Sequence, residues 1–327
     1  MRPRITLAVL GYNQSPFIDD AVRSALGQVC EPVEVLLSDD ASTDTTYARM
    51  QALAAIYCGP HQAVVRRNER NLGIGEHYNA VLRAARGELI VTMAGDDISL
   101  PQRVDLTARA WDASAGQLDL IACDLIDMSH DGVDLGLLRV DDLAQWRSLD
   151  NWVRRRPYVV GAGHSFSRRL FERFGPLAPE VGYEDQINML RALCGGGAVT
   201  LHTPLVRYRR GGVSGGMRNA SGKEYVAWAR RRNSTHLAGH EQWLADAKLA
   251  GCYELVRAAT RSEYERELFV RDLLAATDLS DRFRAVRDAR GVNLGWRLRK
   301  LLYWRWPGLA ARIRYLQARS KHLRHRH

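Results

Sequence analysis

Short apolar runs alternate with amphipathic stretches through the first third of the chain. The runs fall at Ile5–Leu10, Val33–Leu37, Ala63–Arg66, Leu89–Met93 and Leu118–Ile121. Apolar residues recur every three or four positions between them, which predicts helices over Pro16–Gln28, Thr45–Tyr57, Gly75–Ala85 and Pro101–Ala115. Strands that are apolar on both faces and alternate with helices are typical of a parallel, doubly wound sheet. We therefore predict an α/β fold with a mostly parallel central sheet flanked by helices.

Two prolines and a change of pattern refine this picture. Pro16 and Pro101 are each predicted to open their helix, where the missing N–H costs nothing. The alternation loosens from about residue 134 to residue 208, and a helix-rich region without a readable motif runs from about 223 to 290. The second half therefore adds helices to the sheet rather than repeating it.

Polar residues follow the first two strands, where ligands bind in such sheets. Tyr12 and Asn13 come directly after the first strand, and Asp39 opens an acidic stretch that ends at Asp44 after the second. An aromatic ring can stack on a nucleobase, and a carboxylate can accept its N–H groups. Equally, Tyr12 can be a packing residue and Asp44 the N-cap of the next helix.

An acidic pair, Asp96-Asp97, follows the fourth strand. Two adjacent carboxylates repel each other and lose hydration unless a cation neutralises them. Mg²⁺ and Mn²⁺ prefer such oxygen ligands and are often held by one or two carboxylates plus substrate phosphates. The pair therefore predicts a metal site, and the alternative is a solvated turn in which Asp97 caps the following helix.

A second acidic pair and a basic, glycine-rich stretch occur in the second half. Glu184-Asp185 precedes a helical segment, Ile187–Leu193, so Asp185 is either a helix cap or a general base. Arg209 and Arg210 lead into a glycine-rich stretch that contains Ser214. Such a stretch either folds over a diphosphate, which arginine binds through two hydrogen bonds, or is an ordinary surface loop.

In combination these motifs are far more specific than any one alone. Their order along the chain is Tyr12-Asn13, Asp39 with Ser42 and Asp44, Asn71-Leu72-Gly73, Asp96-Asp97, Gly163–Leu170 and Glu184-Asp185. Over about residues 5–215, the sequence resembles the family 2 glycosyltransferases, which have the GT-A fold. The resemblance implies a metal-dependent hexosyltransferase that inverts the sugar as it moves it from a nucleoside-diphosphate sugar to an acceptor hydroxyl, in the synthesis of cell-surface polysaccharide or glycolipid.

The resemblance also implies roles for individual residues. Asp185 matches the catalytic base, with Glu184 supporting it. Asp96 matches the last Asp of the family's Asp-x-Asp motif, the usual contact of Mg²⁺ or Mn²⁺, with Asp97 just behind it. Contacts with the nucleotide sugar are expected from Tyr12, Asn13, Asp39, Asn71, Gly73, Asp96, Arg209 and Ser214. One departure is clear, because the first Asp of Asp-x-Asp is Ala94 here.

The domain prediction combines the pattern with this resemblance. We predict a GT-A catalytic domain over residues 1–215, with a nucleotide-sugar half at about 1–115 and an acceptor half at about 116–215. A helical region then covers 216–290, and a basic amphipathic tail covers 291–327. The GT-A domain is thus expected to carry a C-terminal helical extension.

The net charge of +10 comes from the tail. Residues 291–327 contain ten Lys and Arg and no acidic residue, whereas residues 1–290 contain 37 of each sign. Tryptophans interleaved with cations beside an apolar stripe predict a helix on an anionic membrane surface, with packing on the catalytic domain or a nucleic-acid arm as alternatives. A membrane contact suits a glycan or lipid-linked acceptor, and we expect no nucleic-acid partner.

The cysteines and the apolar runs bear on localisation. Five widely spaced cysteines without a Cys-x-x-Cys pair suit a reducing compartment. No apolar run reaches the roughly 18 residues of a membrane-spanning helix or forms a secretory core. We therefore predict a cytoplasmic protein that is peripheral at the inner face of the membrane.

Three other functions share some of these sequence features. A nucleotidyltransferase would normally carry a basic phosphate loop after the first strand, where Gly11–Ser15 contains no Lys or Arg. A dinucleotide-dependent oxidoreductase needs Gly-x-Gly-x-x-Gly at that position, and the motif is absent. A non-catalytic sugar-nucleotide-binding protein stays open because of Ala94.

Overall fold

A mixed sheet flanked by helices carries the first half of the chain. We describe residues 4–210, 221–308, 310 and 313 from a computed structural model. Nine strands occur among these residues: β1 Ile5–Gly11, β2 Glu34–Asp39, β3 Gln62–Arg67, β4 Leu89–Ala94, β5 Ile98–Ser99, β6 Leu120–Met128, β7 Asp134–Leu138, β8 Ser165–Ser167 and β9 Ala198–Arg209. The helices are α1 Ile18–Leu26, α2 Thr46–Ala55, α3 Ile74–Ala84, α4 Arg103–Ala113, α5 Leu149–Arg154, α6 Arg168–Phe174, α7 Glu184–Leu193, α8 Gly222–Leu249, α9 Tyr253–Ala275, α10 Leu279–Asp288 and α11 Leu294–Arg305.

The sheet has the strand order β3-β2-β1-β4-β8-β6-β9-β5, with β7 paired to β6. The first four strands of that order are parallel, as are β6 and β9. Gly11 lies opposite Asp39, and Leu10 lies opposite Ala94, so β1, β2 and β4 end at the same edge. The predicted mostly parallel sheet is confirmed, and the antiparallel strands β5, β7 and β8 were not predicted.

Burial on both faces explains why these strands are apolar throughout. Leu7 and Val9 in β1, Val35 in β2 and Val91 in β4 have no solvent exposure, and neither has Ile18 of α1, which packs on them. Each such side chain contributes about 1.5–3 kcal/mol relative to an exposed position. This apolar core therefore fixes the positions at which β1, β2 and β4 end.

The two prolines lie outside the helices that they were predicted to open. α1 begins at Ile18 and α4 at Arg103, in each case two residues after the proline. Pro16 lies in a turn in which the N–H of Ile18 donates to the carbonyl oxygen of Gln14 at 2.9 Å. The prolines therefore shape the turns that lead from the strand ends into the helices.

The described residues form two compact units. The described residues within 1–212 and 246–251 form the first, and those within 213–245 and 252–327 form the second. The predicted boundaries at residues 215 and 290 stay a prediction. No helix in the described part of the chain is both long and apolar enough to cross a membrane.

A small apolar core of the second unit includes part of the predicted tail. Phe269, Leu273 and Val286 form this core, and Trp296 and Trp304 of α11 pack against it. These tryptophans lie on the inner side of α11, whereas the sequence alone suggested that they line the membrane-facing side with the cations. In the described part of this segment, Leu294, Leu298, Leu302 and Trp306 are the large apolar residues that are exposed.

Candidate active site

The loop after β1 is fastened to the loop after β2. Asn13 adopts a left-handed backbone conformation with φ of 51°, which asparagine tolerates better than most residues. Its N–H donates to Oγ of Ser42 at 2.9 Å, and its Oδ1 accepts the N–H of Thr43 at 2.9 Å. The predicted residue Asn13 therefore joins two strand ends, and the neighbouring Tyr12 remains 38% exposed.

Asp39 is the last residue of β2, and one of its two carboxylate oxygens has partners within the protein. Its Oδ1 accepts the N–H of Ser42 at 3.0 Å and lies 3.3 Å from Nε of Arg67. Its Oδ2 is buried and accepts no hydrogen bond from any residue that the structure describes. Since buried carboxylate oxygens are normally hydrogen-bonded, this oxygen is suited to accept an N–H group from a ligand.

Asp40 organises the predicted loop at Asn71 and Gly73. Its Oδ1 accepts the N–H of Leu72 at 2.9 Å and Nδ2 of Asn68 at 2.6 Å, and its Oδ2 accepts the N–H of Gly73 at 3.0 Å. Oδ1 of Asn71 accepts the same N–H of Gly73 at 2.9 Å, and Gly73 has a φ of 76° that favours glycine. Sequence reasoning assigned no role to Asp40, although its place in a buried acidic pair after a strand was a usable signal.

The acidic pair after β4 is buried and only partly compensated. Burial raises the pKa of Asp96, and a hydrogen bond with the side chain of Gln14 opposes the shift. Burial, together with the charge of Asp96, raises the pKa of Asp97 to about 8. Oδ1 of Asp97 accepts the N–H of Arg209 at 2.8 Å, and its Oδ2 has no hydrogen-bond partner within the described chain. A cation beside the pair would relieve this repulsion.

The residues around the pair fit a weakly held divalent cation. Across the described ranges, no cluster of three or more His, Cys, Asp or Glu is arranged to hold a metal. Ala94 contributes no oxygen from its side chain, which leaves Asp96 and the unpartnered oxygen of Asp97. One or two carboxylates are enough for Mg²⁺ when substrate phosphates complete the shell. The donor set therefore suits a metal that arrives with a diphosphate.

Arg209 is buried against the acidic turn. Its Nε donates to the carbonyl oxygen of Asp96 at 2.9 Å, and its Nη1 donates to that of His130 at 2.7 Å. The guanidinium lies 4.5 Å above the ring of Phe17. These contacts hold the Asp96 turn in place, and the contact of Arg209 with a diphosphate stays a prediction. Ser214 lies outside the described residues.

Arg103 connects β4 to the short helical turn at Gly161–Gly163. Its guanidinium is fully buried, and Nη2 donates to the carbonyl oxygens of Thr92 and Ala162, both at 2.8 Å. A β-carbon on Gly161 would lie 2.6 Å from Oε1 of Glu184, so that turn touches the start of α7. Arg103 thereby links the strand that leads to Asp96 with the turn that contacts Glu184. Nothing in the sequence around Arg103 indicated this role.

Asp185 has the properties of a general base. Its Oδ1 accepts the N–H of Gln186 at 2.7 Å, and the backbone of Gly161 also hydrogen-bonds it. Burial is the main reason why the pKa of Asp185 rises to about 6 and that of Glu184 to about 7, where the charge of Asp185 adds to the effect. Both side chains still keep some solvent exposure. A carboxylate that titrates near neutral pH is suited to take a proton from a hydroxyl group.

The first part of the chain is similar in sequence to known glycosyltransferases. Residues 6–134 match the family model described as "Glycosyl transferase family 2". The succinoglycan biosynthesis protein ExoO of Rhizobium meliloti (strain 1021) is 34% identical over 208 residues, which cover 59% of this chain and 57% of ExoO. The chain therefore spans less than two thirds of that relative.

Solved structures resemble the chain over nearly its whole length. S. aureus TarS 1–349 in complex with UDP-GlcNAc has a TM-score of 0.54 at 15% identity and covers 96% of this chain and 92% of its own. The mannosyltransferase PcManGT from Pyrobaculum calidifontis, in complex with GDP-Man and Mn²⁺, has a TM-score of 0.51 at 18% identity, covering 94% and 88%. At these identities the likeness concerns the fold, and the predicted GT-A fold is confirmed.

Proposed function

We propose that the chain, whose residues 6–134 match the family 2 glycosyltransferase model, moves a sugar from a nucleoside-diphosphate sugar to an acceptor hydroxyl with inversion at the anomeric carbon. The observation that carries this proposal is the carboxyl group of Asp185, which has a pKa near neutrality and is tied through Gly161–Gly163 and Arg103 to the strand that leads to Asp96. The name of ExoO supports a role in the synthesis of polysaccharide or glycolipid.

The donor nucleotide is proposed to bind where β1 and β2 end. The unpartnered Oδ2 of Asp39 is suited to accept an N–H group of the base, and the exposed ring of Tyr12 is suited to stack on it. The loop at Asn71 and Gly73, which Asp40 fastens, would border the nucleotide. UDP-GlcNAc in TarS and GDP-Man in PcManGT support a nucleotide sugar as the donor class.

The acidic pair is proposed to receive the diphosphate together with Mg²⁺ or Mn²⁺. Asp96 would hold the ion with Asp97 behind it, and the ion would supply positive charge to the departing diphosphate. Arg209 donates from Nε to the carbonyl oxygen of Asp96 and from its backbone N–H to Oδ1 of Asp97, which fixes the turn that carries both carboxylates. The Mn²⁺ bound by PcManGT supports this choice of cofactor.

The acceptor hydroxyl is proposed to lose its proton to Asp185. The hydroxyl oxygen forms a bond to the anomeric carbon while the bond from that carbon to the diphosphate oxygen breaks on the opposite face. The electron pair of the broken bond leaves with the diphosphate, and the configuration inverts in one step. Glu184 supports Asp185 by taking up a proton first, because burial and the charge of Asp185 raise its pKa to about 7, so that Asp185 is the carboxylate of the pair that stays ionised.

Turnover of UDP-GlcNAc and GDP-Man, with and without Mn²⁺, tests this proposal. We expect hydrolysis or transfer by the wild type, a loss of about 100-fold or more in Asp185→Asn, and no loss in the exposed control Asp131→Asn. Equal rates in wild type and Asp185→Asn would remove Asp185 as the base. Binding of both donors without any turnover would favour the non-catalytic alternative that Ala94 leaves open.

We also propose that the protein works in the cytoplasm, peripheral at the inner face of the membrane. The exposed residues Leu294, Leu298, Leu302 and Trp306 recur every four positions and therefore form a stripe along α11 and its end. The opposite side of α11 packs inward, and residues 291–327 carry ten cations without an acid. An apolar stripe among cations suits an anionic lipid surface, where a glycan or lipid-linked acceptor would also be found.

A further inference from the structure

Tyr158 presents an aromatic ring to solvent from a fixed backbone. Its side chain is 51% exposed, although its N–H donates to Oδ2 of Asp141 at 2.7 Å and its carbonyl oxygen accepts the N–H of Asp141 at 3.0 Å. Arg155 in turn donates to the same Oδ2 of Asp141 at 2.9 Å. The backbone around this ring is fixed by hydrogen bonds, and the core does not cover the ring. Such a ring is suited to bind a ligand, because little conformational entropy of the chain is lost on binding.

The segment that carries Tyr158 packs on the first turn of α7. The carbonyl oxygen of Pro157 accepts Nε2 of Gln186 at 3.1 Å, and Gly161 hydrogen-bonds Asp185 through its backbone. Tyr158 therefore lies between two anchor points beside the proposed base. Burial raises the pKa of the Tyr158 phenol, Arg210 lowers it, and the carboxylates of Asp127 and Asp185 raise it further, which agrees with a hydroxyl close to all three.

Asp127 and Arg210 form an ion pair whose two charges act on the Tyr158 hydroxyl. Nε of Arg210 lies 2.5 Å from Oδ1 of Asp127, which is buried near the end of β6, while the side chain of Arg210 is 41% exposed. The neighbouring Arg209 uses its guanidinium on Asp96 instead. Carboxylate oxygens and guanidinium N–H groups, side by side, can accept from and donate to neighbouring hydroxyls at once.

We infer that Tyr158 and the Asp127–Arg210 pair form the subsite for a neutral sugar ring of the acceptor, whose hydroxyl is then presented to Asp185. This inference rests on the proposed function and names the acceptor class. The C–H face of the sugar lies on the Tyr158 ring, and its hydroxyls meet the ion pair. A phosphate group at this position would face the carboxylates of Asp127 and Asp185, which repel an anion, while the guanidinium of Arg210 is already paired with Asp127.

The test measures binding of methyl glycosides of glucose, galactose, mannose and N-acetylglucosamine to the full chain by saturation-transfer NMR, with UDP or GDP and Mn²⁺ present. We expect at least one glycoside to bind the wild type and to lose about tenfold in affinity in Tyr158→Ala, which equals about 1.4 kcal/mol. Tyr158→Phe keeps the ring and is expected to bind within about twofold of the wild type. Val29→Ala, an exposed apolar position on the far side of α1 from the strand ends, serves as the control.

Three results would overturn the inference: no glycoside binding by the wild type, equal affinity in wild type and Tyr158→Ala, or tighter binding of glycerol 3-phosphate than of every glycoside. Thermal shifts with UDP-GlcNAc and GDP-Man are expected to match in wild type and Tyr158→Ala, which checks that the variant is folded. If the wild type turns over a donor but its glycoside binding is insensitive to Tyr158, only this inference fails. If it neither binds nor turns over a donor, the proposed function fails.

Discussion

Replacing Asp97 by asparagine is expected to stabilise the protein and, at the same time, to show that the acidic pair is held under electrostatic repulsion. Asp97 is 1% exposed, and its pKa rises from 3.8 to about 8 through burial and the charge of Asp96. Asparagine resembles the protonated carboxyl and keeps the Oδ1 that accepts the N–H of Arg209. The substitution therefore removes the cost of keeping a proton that the unfolded chain would release, while the packing is retained.

The size of the effect follows from the pKa shift. Asp97 has a higher pKa in the folded protein than in the unfolded chain. Between these two pKa values the folded protein retains a proton that the unfolded chain releases, so the free energy of unfolding falls as the pH rises. The slope is about 1.4 kcal/mol per pH unit between about pH 4 and pH 8. At pH 7 the gain in Asp97→Asn is thus about 4 kcal/mol, whereas near pH 4 it vanishes.

Thermal unfolding of wild type and Asp97→Asn with EDTA, at pH 5.5 and pH 7.5, measures this gain. We expect a higher Tm in the variant by several degrees at pH 7.5 and a clearly smaller difference at pH 5.5. Asp131→Asn, at a side chain that is 91% exposed, is expected to change neither value. A gain that does not grow with pH, or a variant that melts below the wild type at pH 7.5, would refute the argument.

Four further outcomes are expected. Transfer by the wild type falls as the pH drops below about 6, because Asp185 then holds a proton; a kcat profile that is flat from pH 5 to pH 8 would contradict this. Asp96→Asn abolishes the gain in UDP or GDP affinity on adding Mn²⁺, as measured by calorimetry. Gly75→Ala lowers Tm, because its β-carbon would lie within 2.9 Å of three carbonyl oxygens, whereas Gly239→Ala, with open space around it in α8, does not. Leu298→Gln weakens binding to vesicles that contain phosphatidylserine, and undiminished co-sedimentation would remove the proposed stripe.

Much of the first unit was predictable from the sequence. The strands at Ile5, Val33 and Leu89 are apolar on both faces, and that pattern depends only on the residues themselves. β8 has three residues and β5 has two, so neither contains a pattern long enough to detect. Their antiparallel pairing depends on residues that lie far away along the chain.

The candidate site divides in the same way. Asp39, Asp96 and Asp185 stood out because acidic residues that directly follow apolar strands, or that begin a helix, point to ligand binding or catalysis from the local sequence alone. Arg103 did not, because its role comes from partners that are distant in sequence, such as the carbonyl oxygen of Ala162. Asp40 had the same local signal as Asp39, but its partner, the N–H of Gly73, is visible only in the structure.

The tail shows most clearly what the sequence by itself determined. Its pattern established an amphipathic, strongly basic helix, since spacing and charge are properties of the chain alone. Only the tertiary structure decided that Trp296 and Trp304 face the core while Leu298 and Leu302 remain exposed. A helix with apolar residues on two sides can bury either side. The surrounding helices of the unit decide which side is buried, because only one side fits against their apolar surface.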